Sequence, residues 1–137
     1  MREIKFRGRN KYNNEWVYGG YYKYQEDVQI IHIQGMNVSQ HTEVIPETVG
    51  EFTGLKDINE IDIYEGDILE FQEDFGYHTN KGEMYYVAFE YSTFVLKYLS
   101  NNQTHGFVKD SQKDWHHSIE NLGNEVKIIG NIYEQLN

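Results

Sequence analysis

Five acids and an amide crowd one short segment: Asp57, Asn59, Glu60, Asp62, Glu65 and Asp67. Oxygen-rich runs bind calcium when their spacing matches an EF-hand loop. Counted from Asp57 the match fails, because Ile61 takes the fifth position, Asp62 the glycine position and Ile68 the twelfth. Glu65 and Asp67, two apart on one strand face, have the residue types for general acid–base work. Eleven acids fall within residues 43–74, however, so such pairs arise from composition alone. A solvated acidic turn accounts for the segment without any catalytic role.

The remaining chemistry-bearing types are dispersed. The six histidines are His32, His41, His78, His105, His116 and His117. None has the i, i+4 spacing of a helical zinc motif, and adjacent His116 and His117 point to different helix faces. Zinc takes three or four ligands, which this pattern does not supply. There is no Ser/His/Asp order, no nucleophile elbow and no P-loop; Gly50 to Lys56 lacks the required spacing. No metal or cofactor is expected, and the residues leave an enzyme undecided, leaning against one.

One basic, aromatic strip stands apart. Arg2, Arg7 and Arg9 precede Tyr12, Trp16, Tyr18, Tyr21 and Tyr22. Small β-barrels bind single-stranded nucleic acid with grooves of this composition. Arg2, Arg7, Arg9, Trp16 and Tyr18 are the candidates for that role. The competing reading is a strand pair with one charged face and one half-buried aromatic face. Net charge favours the latter: −10 overall, with +4 over residues 1–11 and −10 over residues 43–74. An acidic body opposes binding to DNA or to an anionic membrane.

These residues must be positioned by strands. The chain has 137 residues, twelve Tyr, seven Phe, one Pro and no Cys. Aromatic and β-branched residues favour strands, and the sole alanine, Ala88, leaves helix-favouring composition weak. Alternation places strands at residues 4–8, 15–24, 28–33, 42–45, 61–71, 83–91, 93–98 and 125–133. Gly66 interrupts the 61–71 run, which suggests a bulge or a close backbone approach. Residues 57–60 form a turn in which Asp57 can bond its own backbone two residues on and Asn59 tolerates the left-handed region. Pro46 ends a strand. Tyr91-Ser92 is a hairpin junction, although neither is a preferred turn former. Residues 73–82 and 100–104 read as loops. Ser111 and Asp114 match a capping box, and Trp115, Ile119 and Leu122 share one helical face, which predicts a short helix over 111–122.

The reading is one domain over 1–137, mainly β: a strongly bent antiparallel sheet or small β-barrel with one short helix near its C-terminal third. The strands at the two chain ends are expected to pair or to neighbour one another, closing the structure. No apolar run reaches the roughly 20 residues of a membrane helix, and the basic N-terminus is followed by no apolar signal core. The absence of cysteine fits a reducing compartment, so the expected location is the cytoplasm, with no membrane partner.

Three stretches resemble the YopX family of phage and prophage proteins. They are Met1-Arg2-Glu3-Ile4-Lys5-Phe6-Arg7, then Thr53-Gly54-Leu55-Lys56-Asp57 running on to Ile63-Tyr64-Glu65-Gly66-Asp67-Ile68, and finally Ile129-Gly130-Asn131-Ile132-Tyr133-Glu134. The resemblance implies a mainly β, phage-encoded protein acting in a bacterial cell, with no reaction attached. Its motif residues Thr53, Gly54, Leu55, Asp57, Tyr64, Glu65, Gly66 and Asp67 are read as fold determinants. One departure is Asn59-Glu60, where the family usually has Asn-Gly. Ile58 and Ile61 also replace residues that are usually polar, and they are expected at the surface.

Three function classes follow. The first is a non-enzymatic accessory protein that binds a host or phage protein or a second copy of itself, because tyrosine is enriched at interfaces. The second is a single-stranded nucleic-acid binder using the N-terminal strip. The third, an enzyme with an acidic site at Glu65 and Asp67, has the least support.

Overall fold

The computed structural model describes residues 3–34, 38–74, 81–102, 106–109, 122 and 125–135. The chain divides into two compact units, 1–52 and 53–137.

The first unit is an antiparallel meander: β1 (Phe6–Arg9), β2 (Trp16–Tyr24), β3 (Asp27–Gln34) and β4 (Val38–Glu43). Register follows the alternation of the sequence. Gly8 lies opposite Val17, Tyr21 opposite Ile30, and Ile30 opposite Thr42. One face therefore gathers the apolar positions. Val28, Ile30 and Val44 are buried there, with Phe6, Val17 and Val49 packed against them. Burying such side chains contributes roughly 1.5–3 kcal/mol each. The strands approach closely at Gly19, where a Cβ would lie 2.1 Å from the carbonyl oxygen of Ile31.

Past β4 the chain returns to β1. Asn10 and Val44 form an isolated bridge, and Ile45 donates its N–H to the Arg9 carbonyl at 2.9 Å. Pro46 ends this run as anticipated, opening a single 3₁₀ turn, Pro46–Thr48. Next comes β5 (Gly50–Lys56), whose first residues pair with β1. Both edges of β1 are thus taken, by β2 and β5. Of the expected pairing or neighbouring of the two chain-end strands, direct pairing does not form for that reason.

The second unit continues β5 alongside β6 (Asp62–Tyr64). A separate five-stranded antiparallel sheet follows, in the order β10-β9-β8-β7-β11. Its strands are β7 (Asp67–Phe71), β8 (Met84–Glu90), β9 (Thr93–Asn102), β10 (Gly106–Lys109) and β11 (Val126–Asn131). Its core is Ile63, Leu69, Phe71, Tyr85, Val87, Phe94, Leu96, Leu122 and Val126, all buried. Neither sheet closes on itself, so the barrel alternative is not realised.

Several expectations change: β5 (Gly50–Lys56) is a strand the alternation had not placed, and the strand expected at 42–45 runs over Val38–Glu43. The 61–71 run is two strands, not one bulged strand, because the chain turns at Glu65-Gly66 and leaves the β5–β6 pair for the second sheet. Residues 100–102 extend β9 rather than forming a loop, and they pair with a strand the alternation had not indicated, β10. The last strand stops at Asn131, where α1 (Ile132–Gln135) begins. The positive φ of the 57–60 turn falls on Glu60 (64°), not Asn59. The expected helix over 111–122 lies outside the described residues, apart from Leu122, which is in the core.

Candidate functional site

The acidic segment folds into a set of backbone ties. Asp57 is 2% exposed. Its Oδ1 accepts the N–H of Asn59 at 2.8 Å and of Ile61 at 3.0 Å, and its Oδ2 accepts that of Ile128 at 3.0 Å. The bond to Asn59 is the local Asx turn that the sequence suggests. The bond to Ile128 had no local signal.

Ten residues on, a second carboxylate does similar work. Asp67 is also buried, and its Oδ2 accepts the N–H of Tyr64 at 2.8 Å, closing the Glu65-Gly66 turn. Gly66 has φ +93°, and a Cβ there would sit 2.8 Å from the Tyr133 ring. Its carbonyl accepts the N–H of Ile132 at 2.9 Å. Asn131 Oδ1 in turn takes the N–H of Tyr133 at 3.0 Å, capping α1. Thr53 is buried as well, donating its hydroxyl to the Ile63 carbonyl at 2.8 Å; Tyr64 is buried, and Leu55 packs against the core cluster of Ile63 and Leu69. Gly54 takes φ +88° within β5. Glu65 is half-buried in the turn. Tyr133 was not singled out among the candidates; only its place in the C-terminal stretch hinted at it.

The central and C-terminal stretches that carried the family resemblance therefore meet at one corner. A match to the family model described as YopX protein covers residues 5–136. The chain belongs to the YopX family.

No curated protein matches this YopX chain. Among solved structures it is similar to protein EF1440 from Enterococcus faecalis, at 18% identity and a TM-score of 0.55. That likeness covers 100% of this chain and 98% of the other. At such identity it shows a shared fold.

The N-terminal strip of the YopX chain is also assembled. Arg7 lies opposite Tyr18 and Arg9 opposite Trp16, so all four side chains share one face of the β1–β2 pair. Arg2 lies outside the described residues. The guanidiniums rest on the indole, 4.4 Å from its centroid for Arg7 and 4.8 Å for Arg9. Arg7 is buried, and Arg9 donates to the Asn14 carbonyl at 2.7 Å. The cations and the ring therefore engage each other.

His32 and His41 lie on opposite faces of the β3–β4 pair, since His32 is opposite Gln40 and His41 opposite Ile31. The other four histidines are outside the described residues. Among the described residues no three His, Cys, Asp or Glu side chains are grouped to hold a metal, and no helix is long and apolar enough to cross a membrane.

Beyond the strip, β2 presents its tyrosines to solvent. Tyr18, Tyr21, Tyr22 and Tyr24 are 44–60% exposed. In the second unit Ile58 and Ile61 are exposed as expected, and Tyr91 stands 96% exposed at the tip of the β8–β9 hairpin.

Proposed function

We propose that this YopX protein is a non-enzymatic accessory protein of phage or prophage origin, acting in the bacterial cytoplasm by binding a partner protein or a second copy of itself. The observation that carries the reading is the exposed tyrosine series of β2. Tyrosine offers a large amphipathic contact at low entropic cost, and it is enriched at protein interfaces. Support also comes from the acidic motif. Asp57 and Asp67 are committed to backbone N–H groups, which is the work of a fold determinant. The test is sedimentation velocity of the purified chain, together with a tagged pull-down from nuclease-treated bacterial lysate. A concentration-dependent dimer, or one stoichiometric partner, lost in a Tyr22→Ala/Tyr24→Ala variant, is the expected result. A strict monomer that retrieves nothing overturns it.

A second reading rests on the gathering of Arg7, Arg9, Trp16 and Tyr18 on one face. Base stacking would require the Trp16 ring that the two arginines already occupy, which weakens it. Fluorescence anisotropy with single-stranded oligonucleotides at low salt tests it. Salt-dependent binding that is lost in Arg9→Ala would favour this reading over the first.

A further inference from the structure

The meander of the first unit curls so that the end of β4 returns to β1 through the Asn10–Val44 bridge. Its inner face is apolar in the middle and polar at one mouth. A concavity of 340 Å³ opens there. Pockets of this size at the mouths of curled sheets take small molecules.

Three elements build the walls. Val17 and Ile30 form the apolar floor; His32 comes from β3, Gln40 and Thr42 from β4, and Asn13 and Glu15 from the turn between β1 and β2. Register puts His32, Gln40 and Thr42 on the inward face, because His32 lies opposite Gln40, and Thr42 opposite the buried Ile30. Tyr18 borders the mouth, but register sets it on the opposite face, with Arg7.

Half of this polar wall is preset. Asn10 Oδ1 accepts the N–H of Tyr12 at 2.9 Å, and Asn13 Oδ1 accepts that of Glu15 at 2.9 Å. Asn13 Nδ2 reaches Glu15 Oε2 at 3.5 Å. The other half is unspent: among the described residues, the side chains of His32, Gln40 and Thr42 have no hydrogen-bond partner. A ligand therefore meets an amide–carboxylate rim facing an imidazole, an amide and a hydroxyl.

The chemistry of the wall selects the ligand class. Neither lysine nor arginine lines the mouth, and its single charge is the Glu15 carboxylate, so a phosphate or other anion is disfavoured. Among the described lining residues the rings are His32 in the wall and Tyr18 at the border, and the floor itself is aliphatic. What remains is a dense mixture of donors and acceptors over a small aliphatic floor. That suits a ring bearing several hydroxyls on one side and C–H groups on the other. We propose that the mouth of the first unit binds an uncharged, hydroxyl-rich small molecule of the sugar class, held by Glu15, His32, Gln40 and Thr42 over Val17 and Ile30. The site shares Tyr18 at its border with the β2 tyrosines, whereas Tyr22 and Tyr24 lie on the opposite face of the sheet.

The test is an amide NMR titration of the full-length chain with D-glucose, D-galactose and N-acetylglucosamine, with inorganic phosphate and adenosine as comparison ligands. Saturable shifts confined to residues 10–18, 30–32 and 40–42 with at least one sugar are the expected result. Gln40→Ala and His32→Ala should each weaken that sugar about tenfold, which corresponds to roughly 1.4 kcal/mol. Both side chains are exposed, and a melting curve confirms that each variant folds. No mouth-centred shift with any sugar, a tighter response to phosphate or adenosine, or sugar shifts that persist in the double variant would each overturn the proposal.

Discussion

Ile128 donates its backbone N–H to Oδ2 of Asp57 at 3.0 Å, joining residues 71 positions apart. The same carboxylate holds the turn through Asn59 and Ile61. One buried side chain thus fixes a local turn and the place of β11.

Removing it leaves three donors without their acceptor. Each unsatisfied buried group costs about 1–3 kcal/mol. Asp57→Ala is therefore expected to lose about 3–5 kcal/mol in urea unfolding, and Asp57→Asn, which keeps one acceptor oxygen, less. A loss under about 1 kcal/mol in Asp57→Ala would show that water replaces the carboxylate without penalty.

The Gly66–Tyr133 contact makes a coupled pair. Gly66→Ala adds a Cβ 2.8 Å from the ring, on a backbone with φ +93°. The expected cost is about 2–4 kcal/mol, combining left-handed strain with overpacking. In a Tyr133→Ala background the same change should cost only the backbone part, about 1–2 kcal/mol. Additive effects in this cycle would mean that the ring yields freely.

Two turns carry residues that their backbone disfavours. Tyr91 and Ser92 close the β8–β9 hairpin with φ of 53° and 65°, where Asn-Gly is preferred. Tyr91→Asn/Ser92→Gly is expected to gain about 1–2 kcal/mol and to raise the melting temperature. Glu60, at φ 64°, sits in the left-handed region that glycine enters at little cost. Glu60→Gly should gain about 0.5–1 kcal/mol, the relief of strain being partly offset by a freer unfolded chain. A lower melting temperature in either variant contradicts the strain argument.

Glu43 fastens the β1–β2 turn to β4. It accepts the Tyr12 hydroxyl at 2.8 Å and Lys11 Nζ at 3.1 Å. The Tyr12 bond, then the Lys11 bond, hold its carboxyl below the ordinary 4.5. Bonding to Glu43 likewise raises Lys11 and Tyr12 above 10.5 and 10.0. The depressed carboxyl contributes stability above pH 4.5, lost as pH falls through its folded value. The raised Lys11 and Tyr12 contribute below their ordinary values and lose this as pH rises through their folded ones. The clasp thus holds across neutral pH and opens at both extremes. Carboxyl NMR titration should find Glu43 closer to 4.5 in Tyr12→Phe than in the unaltered chain. An unchanged midpoint would assign the shift elsewhere.

Period-two alternation made the central strands legible. Val28 and Ile30 point inward, and the tight junction at Tyr91-Ser92 is where the sequence placed it. Corners were harder to read. At Gly66 the sequence signals a break in the ladder, yet a bulge within one strand and a move between sheets share that signal. Only the pairing of β7 with β8 and β11 distinguishes them. Strand β10 is four residues long and follows a polar run, too short for a period to show. The polar mouth was equally hidden. His32, Gln40 and Thr42 look like ordinary strand residues until register aligns them on one face.

The Asp57–Ile128 bond also orders events in time. A ribosome delivers residues 57–61, and with them the local turn, long before Ile128 exists as a polypeptide. Until synthesis reaches β11, one edge of β7 lacks its partner and Gly66 lacks the Tyr133 ring. The second unit is therefore completed only when its last strand arrives, and a chain interrupted before residue 126 carries a finished turn with nothing to fasten.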